Sequence, residues 1–381
     1  KQGFNDFLNF QKDLTNISYT MNLSPDQLQN LGTSAIDMAK DLSMSLDNTM
    51  DIYKIYANMN TTASEIQQTA RPTAILSNLS GVDASTAADQ VQGILQQFHM
   101  LEDGSTTAAD ASMHIVDVLD KVSGSVGIDY AKGIKIISDA VQASGQVAYD
   151  AGMSYEQLAA ITAKVSERTR EDGSSIGNAL KTIITRTTKV GKMPQYADEV
   201  DNATLSNASA SLHAIGVDVY NPDGSDRGII TVMSELKDKW DDLTDAQQAK
   251  IAFDVAATRQ TSKFKSMLDA FTDSMSLAEE ATTANGNAEA NQEKYMESTA
   301  GKLQAIKTQM QDFWVNFYNS GTVNGVLEFV HSLTEGFTSL EKTLGPIPAL
   351  LTAVFAAMTV KNATMAGLKF LSGGGLATVV G

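Results

Sequence analysis

The five residues GSSIG, Gly173–Gly177, lie where one helical pattern ends and the next one begins. Apolar residues recur at helical spacing through 158–165 and again through 176–184, with a charged polar loop between them. The stretch also fits the pattern GxSxG of serine hydrolases, which places the serine on a sharp turn after a strand. Because a helix precedes the loop, we interpret Ser174 or Ser175 as the N-cap of the second helix. A serine hydrolase that uses Ser175 is therefore a remote alternative.

Helix starts can be read along most of the chain. Capping boxes, in which a Ser or Thr pairs with a Gln or Glu three residues later, begin at Ser24, Thr62, Ser154 and Thr244. The connections between apolar stripes are short and rich in Gly, Asp, Ser and Asn, which is typical of antiparallel helical hairpins. The sequence predicts a mainly α fold of consecutive amphipathic helices and helical hairpins. One clear stripe consists of Ala84, Ala87, Ala88, Val91, Leu95 and Phe98.

The period of the apolar pattern changes around residues 215–232. The turn sequence Asn221–Gly224 contains a proline that presets φ and a glycine that can close the turn. Apolar β-branched residues flank this turn on both sides, which predicts one small β-hairpin near 215–232. A calcium-binding loop is excluded, since Val219 and Ile230 stand where the first and last carboxylate ligands belong.

Composition argues against several kinds of site. The 381 residues include no Cys and only four His, and none of the four has the spacing of metal ligands. We therefore predict neither a metal site nor a bound cofactor. The net charge of -17 argues against specific nucleic-acid binding, because phosphate contacts need clustered Lys and Arg. His213 follows Ser175 in the order of a hydrolase triad, but the neighbouring sequence shows no recognisable acid to orient it.

Changes in pattern divide the chain into four segments. We expect a helical-hairpin core over 1–190, then a β-hairpin with short helices over 191–275. Long amphipathic helices follow over 276–345. The last segment, 346–381, is apolar and rich in small residues.

This last segment has two interpretations that the sequence leaves open. From Ile347 to Val360 no charged residue occurs, but the run is shorter than the roughly 20 residues that cross a bilayer as a helix. The first interpretation is a buried helix that packs against neighbouring chains. The second is a membrane-active region, in which small residues would allow close helix packing in lipid. The candidate membrane-interacting residues are Leu350, Leu351, Val354, Phe355 and Met358.

The segment Ala151–Arg186 resembles the core region of phage tail tape measure proteins. In that family a Ser/Thr-capped helix is followed by a Gly/Ser-rich loop and a second helix with Gly-x-Ala-Leu and then Arg. The resemblance extends through the Ala-rich hairpins of 24–150 and through Ile215–Leu268. The positions that match the family motif are Gly177, Ala179, Leu180 and Arg186.

This resemblance implies a structural and non-enzymatic role. A tape measure protein lies in the lumen of the tail tube or at the tail tip of the virion, after assembly in the host cytoplasm. It helps to set tail length and assists DNA passage at ejection. The implied partners are the tail tube protein, distal tail or tip proteins, tail assembly chaperones, sister chains of a homotrimer and the host membrane. A secreted or surface helical adhesin or interaction protein is the alternative from another class.

Overall fold

The computed structural model describes residues 2–320 except 60, 103, 105 and 189–201. These described residues form fifteen α-helices, so the prediction of a mainly α fold is confirmed. In chain order the helices are α1 Gln2–Met21, α2 Pro25–Asp41, α3 Leu46–Asn58, α4 Ala63–Ser80, α5 Ala84–Gln97, α6 Ala108–Gly124, α7 Tyr130–Asp150, α8 Tyr155–Thr169, α9 Gly173–Thr187, α10 Asn202–His213, α11 Ile229–Trp240, α12 Asp245–Asp269, α13 Phe271–Thr282, α14 Asn287–Glu297 and α15 Thr299–Ser320.

The chain folds into two compact units. Unit 1 comprises Lys1–Asn78, Asp83–Ser85 and Ala290–Gly381, of which the residues beyond 320 lie outside the described part. Unit 2 comprises Leu79–Val82 and Thr86–Glu289. The four segments predicted from the sequence stay a prediction.

Unit 1 is built on contacts of α1 with α3 and with α15. Its largest fully buried side chains include Tyr53 and Tyr56, and the Tyr56 hydroxyl lies 2.5 Å from Thr73 Oγ1. The loop between α2 and α3 is held by residues at least 250 positions later in the chain. There, Gln292 Nε2 donates to the Leu42 carbonyl at 2.9 Å, and Thr308 Oγ1 donates to the Met44 carbonyl at 2.6 Å. Unit 1 is therefore closed by residues distant in sequence.

Unit 2 is organised around α9. This helix contacts α7, α8, α10 and α12, while α13 packs on α8 and α6. The apolar side of α9 is buried along its length: Ile176, Leu180, Ile183 and Ile184 are each at most 3% exposed. Of the GSSIG stretch at the start of α9, Gly173, Ile176 and Gly177 are buried, whereas Ser174 is exposed and Ser175 partly so.

All four predicted capping boxes form. At the start of α8, Ser154 Oγ accepts from the Gln157 amide at 3.3 Å, and Gln157 Oε1 accepts from the Ser154 amide at 2.9 Å. The boxes that begin α2, α4 and α12 have the same reciprocal pairs. The stripe predicted for 84–98 is also buried, with every one of its six side chains at most 7% exposed.

The predicted β-hairpin near 215–232 is wrong. In the described residues this region has a single antiparallel bridge, between Tyr220 and Asp226, and no strand pair. The turn itself forms, since the Gly224 amide donates to the Asn221 carbonyl at 2.8 Å. The β-branched residues after it begin α11 instead, because Ile229, Val232 and Leu236 are buried together at helical spacing. Burial along one helical face outweighs the strand preference of β-branched side chains here.

We expect Ser154→Ala to lower the free energy of unfolding by about 1 kcal/mol, because it removes the acceptor for an otherwise unpaired amide at the start of α8. The change is measured by urea unfolding followed by circular dichroism. The exposed Ser64, in the first turn of α4, provides the control. Its replacement by Ala should stay within about 0.5 kcal/mol, and an equal loss for both variants would contradict the capping role.

Candidate functional site

The candidate site is the region of the family-motif positions, which begins at the loop between α8 and α9. Arg170 ends α8 with a left-handed backbone, φ 60°, and its guanidinium Nη1 donates to the Gly127 carbonyl at 2.8 Å. Asp172 is the N-cap of α9, since its Oδ1 accepts from the Ser175 amide at 2.8 Å. The prediction that Ser174 or Ser175 is the cap is therefore wrong. The carboxylate stands three residues before the amide, which is the spacing that a cap requires.

Ser175 takes part in a structural hydrogen-bond chain. Its Oγ donates to Glu171 Oε2 at 2.6 Å, and Lys263 Nζ from α12 lies 2.8 Å from the same oxygen. Burial raises the pKa of Glu171, but the hydrogen bonds from Lys263 and Ser175 outweigh it and hold that pKa below its usual value. A carboxylate with a lowered pKa is a poor base, so this contact does not activate the serine as a nucleophile.

His213 has an acidic neighbour that sequence reasoning missed. Its Nδ1 lies 2.6 Å from Asp218 Oδ1, and both side chains are more than half exposed. The signal was present in the sequence as a spacing of five residues across the end of α10. The pair lies on the surface after that helix, whereas Ser175 is bonded to Glu171 in the loop before α9. The structure therefore does not assemble the remote hydrolase alternative around Ser175 in the part of the chain that it describes.

The two glycines of GSSIG bring α9 against the backbone of α7. A Cβ atom built on Gly173 would lie 2.0 Å from the Ile136 carbonyl oxygen, and one built on Gly177 would lie 2.7 Å from the Ala140 carbonyl oxygen. Ala143 adds a further close contact, 2.8 Å from that Gly177 position. Any larger residue would push the helices apart. The spacing of four residues places both glycines on the same side of α9.

The remaining motif positions extend this contact along α9. Ala179 and Leu180 are 1% and 3% exposed and belong to the core. Arg186, at the end of α9, donates from Nη1 to the Asp254 backbone carbonyl of α12 at 3.3 Å. The motif thus consists of residues that fix α9 against its neighbours.

Asp254 joins three helices of unit 2. Its side chain is buried and accepts hydrogen bonds from Ser211 of α10 and from Lys250 Nζ, the latter at 2.7 Å. Together with the Arg186 contact to its carbonyl, these bonds connect α9, α10 and α12. A buried carboxylate needs such partners, because an unpaired charge would be costly away from water.

A second polar cluster, on α6, was not found by sequence reasoning. Asp117 accepts from the backbone amides of Gly286 and Ala288 at 2.9 and 2.8 Å, and so anchors the start of α14. Asp120 accepts from the Tyr130 hydroxyl and from Asn287 Nδ2. Burial raises the pKa of Asp117, and its two amide donors offset part of that rise. The cluster is fully used in holding helices together.

The described residues offer little to a bound group. They contain no cluster of His, Cys, Asp or Glu that could hold a metal ion. An open depression of about 310 Å³ lies beside α6 and the start of α14, and the ion pair between Lys121 and Glu280 at 2.9 Å is part of its lining.

No helix in the described part of the chain is both long enough and apolar enough to cross a membrane. The candidate membrane-interacting residues Leu350, Leu351, Val354, Phe355 and Met358 lie outside the described residues.

The described residues thus form a mainly helical protein whose motif positions pack its helices against one another. Residues 32–257 match the model of the family described as phage-related minor tail protein. The chain therefore belongs to this family and is a structural component of a phage tail. No solved structure matches the chain.

We expect Gly177→Ala to lower the free energy of unfolding by about 1–3 kcal/mol, because the added methyl overlaps the α7 backbone. Gly93 in α5 is the matched control, since a Cβ there meets nothing within 4 Å. Gly93→Ala should raise stability by about 0.5–1 kcal/mol, as expected for an unobstructed helical glycine. Urea unfolding of both variants checks the pair, and stabilisation by Gly177→Ala would contradict the close contact.

The lowered pKa of Glu171 predicts a pH dependence. A carboxyl whose folded pKa is depressed contributes stability above its unfolded pKa, near 4.5, and loses that contribution as pH falls through the folded value. We therefore expect Glu171→Gln to flatten the fall in unfolding free energy below about pH 4.5. Glu293→Gln, at an exposed position of α14, is the control variant. Identical acid profiles for wild type and Glu171→Gln would refute this.

Proposed function

We propose that this chain is part of a tape measure protein that occupies the tail tube lumen and helps to set tail length. The observation that carries the proposal is the match of residues 32–257 to the minor tail family, in a chain whose described residues are mainly helical. The order of motifs in Ala151–Arg186 supports the finer assignment. Those positions pack helices, which fits a structural rather than a catalytic role.

The helical content gives a physical basis for a ruler. An α-helix advances about 1.5 Å per residue, so 381 residues in one continuous helix would span on the order of 570 Å. Folded into hairpins, the same residues cover far less distance. A chain of this kind can thus be stored as folded units and can span a tube when its hairpins open.

The net charge of -17 suits a chain that shares a channel with DNA. Like charges repel, so an acidic occupant does not hold the phosphate backbone as DNA passes. The same charges also keep the outer faces of the helices solvated. Both effects suit a lumen protein that does not retain DNA. We therefore propose that the chain assists DNA passage at ejection.

The proposed partners follow from this location. They are the tail tube protein along the lumen, distal tail or tip proteins at its end, tail assembly chaperones in the host cytoplasm, and sister chains of a trimer. For residues 346–381 we propose contact with the host membrane after ejection. The test is to mix a peptide covering 341–381 with lipid vesicles. If the peptide stays in the aqueous phase, the proposed contact with the host membrane is wrong.

The test is made in the phage that encodes the chain. An in-frame duplication of residues 25–80 adds the helices α2 to α4, and the added residues correspond to about 84 Å if they extend as helix. We expect the mean tail length, measured by electron microscopy, to increase by up to that amount. A phage with a synonymously recoded gene and no duplication is the control.

Mass spectrometry of purified virions makes the outcome decisive. If the longer chain is present in the particles and the tails keep their wild-type length, the ruler proposal fails. A photo-crosslinker at Tyr19, which is 82% exposed, should also capture the tube protein in intact virions.

A further inference from the structure

Helix α12 is broken in its middle by one strained residue. Ala257 has φ 55° and ψ 167°, while the residues on either side continue as helix. An L-residue with a side chain rarely adopts this conformation, which glycine adopts readily. The bend therefore stores backbone strain at an alanine.

The local sequence contains no cause for this bend. Sharp helix kinks usually occur at proline, at glycine or where a group inserts into the hydrogen-bond ladder. Residues 245–269 contain neither Pro nor Gly, and five of them are Ala, the best helix former. The segment prefers a continuous helix by itself, so packing must impose the bend.

The burial pattern shows how packing does so. In the first half of α12 the buried apolar residues lie between Ile251 and Ala256, and in the second half between Phe264 and Leu268. At 100° per residue, the centres of these two faces would lie roughly 140° apart on a straight helix. A straight α12 cannot turn both faces to one core. The bend at Ala257 reorients the second half so that both are buried.

A polar clamp holds the turn before the bend. A non-helical residue interrupts the bonds between carbonyls and amides four residues apart, so carbonyls before it need other donors. Arg186 of α9 supplies one to the Asp254 carbonyl at 3.3 Å. Ser211 of α10 binds the Asp254 side chain, which is 8% exposed. The bent form thus depends on α9 and α10.

We propose that α12 is a two-state element, bent while α9 and α10 hold Asp254 and continuous once they release it. As one helix, its 25 residues span about 37 Å. Straightening withdraws one of the two buried faces from the core, so it accompanies a loosening of the packing around α12. Release of strain at Ala257 and recovery of helical hydrogen bonds favour it. Its use in a tail, as a step in opening unit 2 into an extended chain, rests on the proposed function.

The strain is tested by a pair of glycine substitutions in the isolated protein. Ala257→Gly should raise the melting temperature, because glycine accepts the positive φ of the bend. Ala249→Gly, at an exposed position in the regular first half, should lower it. If both substitutions lower the melting temperature by the same amount, Ala257 is not strained and the proposal is overturned.

The second state is tested by distance measurement. Because the chain has no Cys, spin labels can be attached at Ala246→Cys and Lys265→Cys on the two exposed ends of α12. Electron paramagnetic resonance should show one short distance in the bent protein. In the release variant Arg186→Met/Ser211→Ala, a second population should appear at the separation of a straight helix, about 28 Å along the axis.

Adding Ala257→Gly to the release variant should suppress this second population, whereas adding Ala249→Gly should not. Absence of the long distance in the release variant overturns the proposal. If circular dichroism shows that the double variant is unfolded, Arg186→Met alone is measured and judged by the same criterion. These results do not depend on a phage, so tails of unchanged length would refute the ruler while leaving the two-state helix intact.

Discussion

The contact between the α9 glycines and the α7 backbone is the constraint on which unit 2 depends. Gly173 and Gly177 let α9 approach carbonyl oxygens of α7 at a distance that a Cβ would not permit. The same helix contacts α8, α10 and α12, so its depth in the unit sets where those helices can lie. A GxSxG pattern that favours a nucleophile on a strand is here a pair of small residues on one side of a helix. The Ser175 hydroxyl, which lies between them in sequence, donates a hydrogen bond to Glu171 in the loop before α9.

Local and tertiary preferences agree in most of the chain and conflict in α12. Capping boxes, apolar stripes and short polar loops all indicate the helices that form. In α12 the sequence favours one continuous helix, whereas burial of the apolar residues in both of its halves requires a bend between them. Conflict of this kind is expected at functional or strained sites. Arg186 and Asp254 stand at this point, and Arg186 is also a family-motif position.

The sequence predicted what local interactions decide and missed what distant ones decide. Helix starts with a reciprocal Ser or Thr and Gln or Glu were found, because all partners lie within one turn. The cap of α9 was misplaced because Asp172, Ser174 and Ser175 are all competent acceptors and only the backbone geometry separates them. Asp117 gave no signal, since its amide partners lie at least 169 residues away in sequence. Gly177 was recognised by resemblance, but nothing in the sequence identified α7 as the partner of Gly173 and Gly177.

Unit 1 is formed by parts of the sequence that precede and follow unit 2, so its parts are synthesised at different times. Its first part ends at Asn78, and the residues that close it, among them Gln292 and Thr308, follow only after the whole of unit 2. At translation rates of about 5–20 residues per second, the gap lasts on the order of 10–40 s. Throughout that interval α1 lacks the contact with α15 that it makes in the folded chain. Unit 2 can complete its core first, and unit 1 closes last.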